Sequence, residues 1–188
     1  MRSLPAFLAL VILALTVHCP GAAEKEAIRH RFTTSGDSYS FTGEFTVDGG
    51  KNCLLDMLYD PEHLRQYARH ADAVEVADQG NGWQTVVYDY SSLFYHSRST
   101  FKRTLDSARD RINYRLIAIE QHGLVSPDIN SISGYYKVTS EEEYCRVTFH
   151  QKGVIGNGML SRFYFYTAEK EAVTFLDNMQ RHAAENCP

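Results

Sequence analysis

"MLSRFYFYTAEKEAVTFLDNMQRHAAE", residues 159–185, runs its whole length without a proline or glycine. Phe165, Ala168, Ala172, Phe175, Leu176, Met179 and Ala183 recur at helical spacing and make one apolar stripe. A long helix with a single greasy face must hide that face against another layer. The segments before it identify the layer. "INSISGYYKVT" (129–139) and "YCRVTFHQKGV" (144–154) alternate apolar and polar residues around the acidic turn "SEEE", so they read as a hairpin. "INYRLIAIE" (112–120) alternates Ile112, Tyr114, Leu116 and Ala118. "GWQTVVYDYSSLFYHSRSTFKR" (82–103) reads as two further strands, and "AVEVADQGNG" (73–82) as a short one with its turn. Further upstream, Tyr39, Phe41, Gly43, Phe45 and Val47 share one face of a strand ended by Gly49–Gly50. Between lies "KNCLLDMLYDPEHLRQYARHA" (51–71), helical in spacing but interrupted by Pro61, which predicts two short helices with a break at Asp60. The predicted class is α+β: a strand, two short helices, about six antiparallel strands, and the long helix laid across the sheet. A curved sheet of that length cannot close tightly on one helix, so a cavity between the two layers is expected.

The N-terminus has a different character. Arg2 is followed by an unbroken apolar run from Leu4 to Val17 and then "HCPGAA". A positive end, a short apolar run and a small-x-small site are the parts of a secretory signal peptide, with cleavage expected after Ala23. Residues 24–38 are polar and read as a loose leader, and 39–188 as one domain. Without Arg2 the mature chain has 18 basic against 23 acidic residues. That balance argues against a nucleic-acid partner, which needs a basic face. Export, to a periplasm or the medium, permits disulfides. Of the mature cysteines, Cys53 and Cys187 both sit at element ends and form the favoured pair, whereas Cys145 alternates with Val147 and Phe149 as a buried free thiol would.

The element order, the stretch "DPEHLRQYARHADAVEVADQGNG" (60–82) and the glycine loop "GVIGNG" (153–158) ahead of the last helix together resemble the START-like, helix-grip superfamily. This superfamily is also called SRPBCC, the polyketide cyclase and lipid-transport class. The likeness extends over residues 39–184. It implies a hydrophobic tunnel between the C-terminal helix and the sheet, in proteins that carry sterols, phospholipids, quinones or polyketides. A minority of members catalyse cyclase or hydrolase chemistry.

Tyr88, Tyr90, Tyr95, Tyr114 and Tyr136 each fall in the apolar register of a predicted strand. Rings with polar tips suit an apolar pocket that orients a guest by one hydroxyl contact. With them on the inner face come Val86, Ser97, Phe101, Leu116, Val147 and Phe149, and on the helix Ala172 and Leu176. Met159, Leu160 and Phe163 are expected at the tunnel mouth, as a gate able to touch a membrane transiently during exchange. The histidines lack metal-ligand spacing; His63 and His70 stand two helical turns apart, so no metal and no cofactor are expected. An acid–base pair of Asp89 and His96 is conceivable only if both point inward, and alternation turns Asp89 away from Tyr88 and Tyr90. No catalytic residue is therefore assigned. The expected function is binding or transfer of a hydrophobic, lipid-like molecule by an exported protein. A cyclase- or hydrolase-type enzyme using the same cavity is one alternative, and an interaction module with a filled core is another.

Overall fold

The computed structural model describes residues 27–69, 71–92, 95–123, 126–156 and 161–187, and these form an eight-stranded antiparallel sheet with three α-helices. A hairpin of β1 (Arg29–Ser35) and β2 (Ser38–Val47) leads into α1 (Lys51–Tyr59) and α2 (Pro61–Tyr67). The break between the helices falls at Asp60, as expected from Pro61. Asp60 is extended, its carboxylate accepts from the Glu62 amide at 2.8 Å, and proline fills the first position of α2, where no amide donor is missed. Strands β3 (Ala73–Gly80), β4 (Trp83–Ser91), β5 (Tyr95–Asp106), β6 (Arg111–Gly123), β7 (Ile129–Ser140) and β8 (Cys145–Ile155) then meander back across the sheet. The spatial order is β1-β2-β8-β7-β6-β5-β4-β3, so the last strand pairs with β2 and the two short helices carry the chain to the far edge.

The long helix α3 (Ser161–Asn186) lies against β2 and meets β1, β8, α1 and α2. Its stripe is buried as the periodicity demanded: Phe165, Ala172, Leu176, Met179 and Ala183 are all enclosed. Contact with the sheet is close at Gly43, where any Cβ would run into Leu176. Leu54, Met57 and Leu58 of α1, with Leu64 and Tyr67 of α2, pack with Phe41, Phe45 and Val138 of the sheet in one continuous core. Each such side chain contributes about 1.5–3 kcal/mol by leaving water. Cys53 in α1 and Cys187 just past α3 are joined by a disulfide, and Cys145 is a buried free thiol.

Two features depart from the sequence-based expectation. Part of the supposed loose leader, 24–38, is the strand β1, which pairs with β2 from Arg29↔Glu44 to Ser35↔Ser38. Solvent reaches most of both its faces and only Phe32 is partly buried, so it carries no alternation to detect. The second is a bulge in β6: Thr100 faces Ala118 but Phe101 faces Leu116, which leaves Ile117 unpaired and 48% exposed. The inward register therefore breaks at Ile117, and Ala118, expected on the inner face, is exposed. The expected signal peptide, residues 1–23, lies outside the described residues.

Pairing between β6 and β7 is short. It extends only from Arg111↔Lys137 to Arg115↔Ser133, after which β6 continues with β5 alone and β7 with β8 alone. The sheet splays there, and the space beneath α3 reaches toward that end.

Candidate functional site

A cavity of about 400 Å³ lies between α3, the end of α2 and the inner face of the sheet. Alternation along each strand supplies its walls, one or two residues at a time. Tyr88 and Tyr90 come from β4, Phe101 and Arg103 from β5, Tyr114 from β6, Ile132 and Tyr136 from β7, and Phe149 and Gln151 from β8. Tyr164, Ala168, Ala172 and Phe175 of α3 make the opposite wall.

The rings are continuous. Tyr88 meets Phe101 edge-on with centroids 5.6 Å apart, and Phe101 meets Tyr114 at 6.2 Å. Tyr114 and Tyr136 both stack or tilt on Phe149, at 6.1 and 5.3 Å, and Phe149 touches Phe175 of α3 at 5.6 Å. Such pairs contribute about 0.5–1.5 kcal/mol beyond burial and fix ring orientation. The Tyr114 ring lies over Gly134, where a Cβ would strike both its hydroxyl and the His150 carbonyl. Here a glycine makes room for a wall residue.

Polar groups are few and mostly engaged. The Tyr114 hydroxyl donates to the His150 carbonyl at 3.2 Å and lies 3.2 Å from the Gln151 side-chain oxygen. Gln151 donates in turn to the Tyr39 hydroxyl at 2.7 Å. Burial pushes the Tyr39 phenol up to about 12, against a smaller opposing effect of the Gln151 contact. Tyr114 and Tyr136 rise well above the ordinary phenol value, chiefly through burial. All three hydroxyls thus stay neutral across the physiological range.

Arg103 stands apart. Its side chain is 1% exposed, and its terminal nitrogens donate to the carbonyls of Leu58 and, at 3.2 Å, Tyr59. Those carbonyls close the C-terminal end of α1, where a cation is favoured. Sequence reasoning missed this residue, although the alternation through Ser97, Ser99 and Phe101 runs on to it, because a charged side chain there breaks the apolar pattern. It also missed Ile132, which shares the inner face of β7 with Tyr136, together with Ile129, Ile155 and Thr167, all of which line the cavity.

Of the expected wall residues, Tyr88, Tyr90, Phe101, Tyr114, Tyr136, Phe149 and Ala172 border the cavity. Val86, Val147 and Leu176 do not; they are fully buried in the packed core, where the helices cover the same sheet face. Tyr95 and Ser97 lie toward the tip of the β4–β5 hairpin, beyond the cavity. There the Tyr95 ring meets Tyr90 at 5.8 Å and its hydroxyl accepts from Gln121 at 2.8 Å. Leu116 is set aside by the adjoining bulge. Phe163 is 59% exposed, because four consecutive rings cannot share one helix face. Phe165 is buried against Tyr39 and Ile155, Tyr164 borders the cavity, and Phe163 and Tyr166 face outward. Met159 and Leu160 lie outside the described residues.

Asp89 is paired with Arg98 at 3.0 Å, and His96 contacts the Ser91 hydroxyl at 2.9 Å. Neither borders the cavity, so they are not brought together there. His63, by contrast, meets His182 of α3, Nδ1 to Nε2 at 2.8 Å, a contact between α2 and α3. Among the described residues no cluster of three or more metal-ligating side chains converges, and His70 lies outside them.

No family model matches the chain, and no curated protein matches it in sequence. Solved structures do match in three dimensions. A STAR-related lipid transfer protein fragment from Xanthomonas axonopodis superposes with a TM-score of 0.66 at 17% identity, over 86% of this chain and 96% of that one. The Zhui aromatase/cyclase from a Streptomyces species gives 0.62 at 18% identity, over 84% and 94%. A truncated norcoclaurine synthase from Thalictrum flavum gives 0.60 at 12%, over 81% and 98%. The curved antiparallel sheet with the long C-terminal helix matches the fold of these structures, and this chain has the START-like helix-grip fold.

Proposed function

We propose that this protein is an exported carrier for a hydrophobic small molecule of lipid, sterol or quinone type, held beneath α3 without covalent chemistry. The observation that carries this reading is the hollow itself. About 400 Å³ of space bounded by a ladder of rings falls within the size range of about 300–1,000 Å³ for small-molecule pockets. A protein-interaction module needs no such hollow. Burying an apolar guest contributes about 25 cal/mol per Å² of its surface, enough for tight binding with few polar contacts. One structural relative is named a lipid transfer protein, which favours carriage, and another an aromatase/cyclase. The Cys53–Cys187 bridge supports residence in an oxidising compartment outside the cytoplasm. Phe163 and Tyr166, exposed beside the cavity-lining Tyr164 and Thr167, supply the surface for brief contact with a membrane while the guest exchanges.

The test is to purify the protein from the periplasmic or extracellular fraction, extract it with organic solvent and identify the released molecule by mass spectrometry. An apolar guest in near-stoichiometric amount is expected from the wild type. Ala172→Phe, which fills the cavity from the α3 side, should yield little of it while melting no earlier. A protein that carries no guest and takes up no lipid in vitro would rule the reading out.

A further inference from the structure

Arg103 borders an apolar cavity, yet its side chain is almost wholly buried. A guanidinium keeps its charge at any pH a folded protein tolerates. The Leu58 and Tyr59 carbonyls orient the fork but bring only partial negative charge. Among the described residues no carboxylate forms an ion pair with it. Its cross-strand neighbour in the β4–β5 ladder is Gln84, a neutral and equally buried amide whose nitrogen donates to the same Tyr59 carbonyl at 2.6 Å. Among the described residues the other charged side chain on the cavity wall is Glu171, on the exposed side of α3. Beside Arg103 the wall presents Tyr88, whose hydroxyl makes no hydrogen bond among the described residues.

A buried charge with no counter-charge is expensive, and the deficit is relieved by whatever brings the opposite sign. We propose that the guest brings it: the cavity takes an amphiphile ending in a single carboxylate, which pairs with Arg103 while its apolar tail lies along the rings. This rests on the reading of the cavity as a ligand site. The dimensions agree. From Gln84, level with Arg103, to Tyr90 at the 39% exposed rim is six residues of strand, about 20 Å at about 3.3 Å each. The buried charge thus sits at the closed end, and Tyr88, Phe101 and Tyr114 mark the path outward. A carboxylate matches a single guanidinium in charge and in its two-pronged geometry. A phosphate monoester carries about twice that charge and would leave one unit uncompensated, since among the described residues no second cation borders the space.

The experiment uses the full mature chain, delipidated, with the neutral fluorophore N-phenyl-1-naphthylamine as the displaced probe. Competitors are hexadecanoic acid, its methyl ester and hexadecyl phosphate. On the wild type the acid should displace the probe at a concentration at least about tenfold below that of the ester, the advantage of a charge-assisted hydrogen bond. In Arg103→Met the acid should fall to the level of the ester, while probe and ester bind within about twofold of wild type, which also reports an intact fold. If that variant fails to bind the probe, Arg103→Lys, which keeps the charge and loses the fork, should retain only part of the preference. Equal displacement by acid and ester on the wild type, or a preference that survives in Arg103→Met, would overturn the proposal and leave the cavity reading standing. Hexadecyl phosphate outcompeting the acid would overturn the carboxylate assignment. A wild type that binds neither probe nor competitor would overturn the cavity reading as well.

Discussion

Gly134 shows how a single position can set a wall. The Tyr114 ring crosses β7 where Gly134 has no side chain, and its hydroxyl thereby reaches the His150 carbonyl. Adding one methyl places a carbon against a backbone oxygen, which cannot swing aside, and against that hydroxyl. Gly134→Ala should therefore destabilise by about 1–3 kcal/mol, the usual range for overpacking. For a domain of this size that lowers Tm by several degrees, at about 2–4 °C per kcal/mol. Tyr114→Phe alone should lose about 1 kcal/mol with its hydrogen bond. In the double variant the alanine should cost somewhat less than in the wild type, because the hydroxyl has gone while the His150 carbonyl and the ring carbon that bore the hydroxyl still stand against the methyl. Strictly additive thermal shifts would show that the Tyr114 hydroxyl does not stand against the added methyl in solution.

At the scale of elements, α3 has two jobs that pull against each other. Its C-terminal half, with Leu176, Met179 and Ala183, is packed solid and tied to α1 through Cys53–Cys187. Its first turns instead border the cavity with Tyr164, Thr167 and Ala168, and turn Phe163 and Tyr166 outward. Replacing both outward rings, Phe163→Ser with Tyr166→Ser, should leave guest affinity within about twofold, since neither touches the cavity. The rate of guest transfer between protein and phospholipid vesicles should fall severalfold, because anchoring aromatics favour the membrane interface. An unchanged transfer rate, followed by fluorescence dequenching, would remove membrane contact from the proposal. The amphipathic stripe of α3 and the antiparallel meander were legible in the sequence because each buries one face and exposes the other, and the Asp60 break because Pro61 cannot continue a helix. β1 was not legible, since an edge strand wetted on both sides leaves no period. Nor was the division of the inner face into packed core and open cavity, for Val86 and Tyr88 share one register of β4. Whether each faces helix or hollow depends on where α1, α2 and α3 lie, which local periodicity does not encode.

The described residues form a sheet with three α-helices closing one side, and the closure depends on how α2 and α3 hold together. Ala68 and Ala71, at and beyond the end of α2, border the cavity, so motion of α2 changes its shape. His63 and His182 join the two helices. Asn186 lies 3.3 Å from Nδ1 of His182, which fits a tautomer in which His182 Nε2 donates to His63 Nδ1. A proton on either accepting nitrogen removes one of these bonds. Burial and the neighbouring His63 hold His182 below the ordinary imidazole value, with Arg69 adding to this and Glu185 opposing it. His150 is also lowered, by burial and by Lys152 and Arg111. For both, the unfolded chain binds the proton more readily than the folded one. Unfolding therefore takes up protons between the lower folded value and the ordinary value of about 6.5, and stability declines as pH falls through that window. Above it both forms are neutral and the dependence vanishes. Urea unfolding of His182→Gln at a series of pH values should show a shallower decline below about pH 6.5 than the wild type, while His150 accounts for the slope that remains. Superimposable pH profiles would mean that the histidine contact does not help hold α2 against α3.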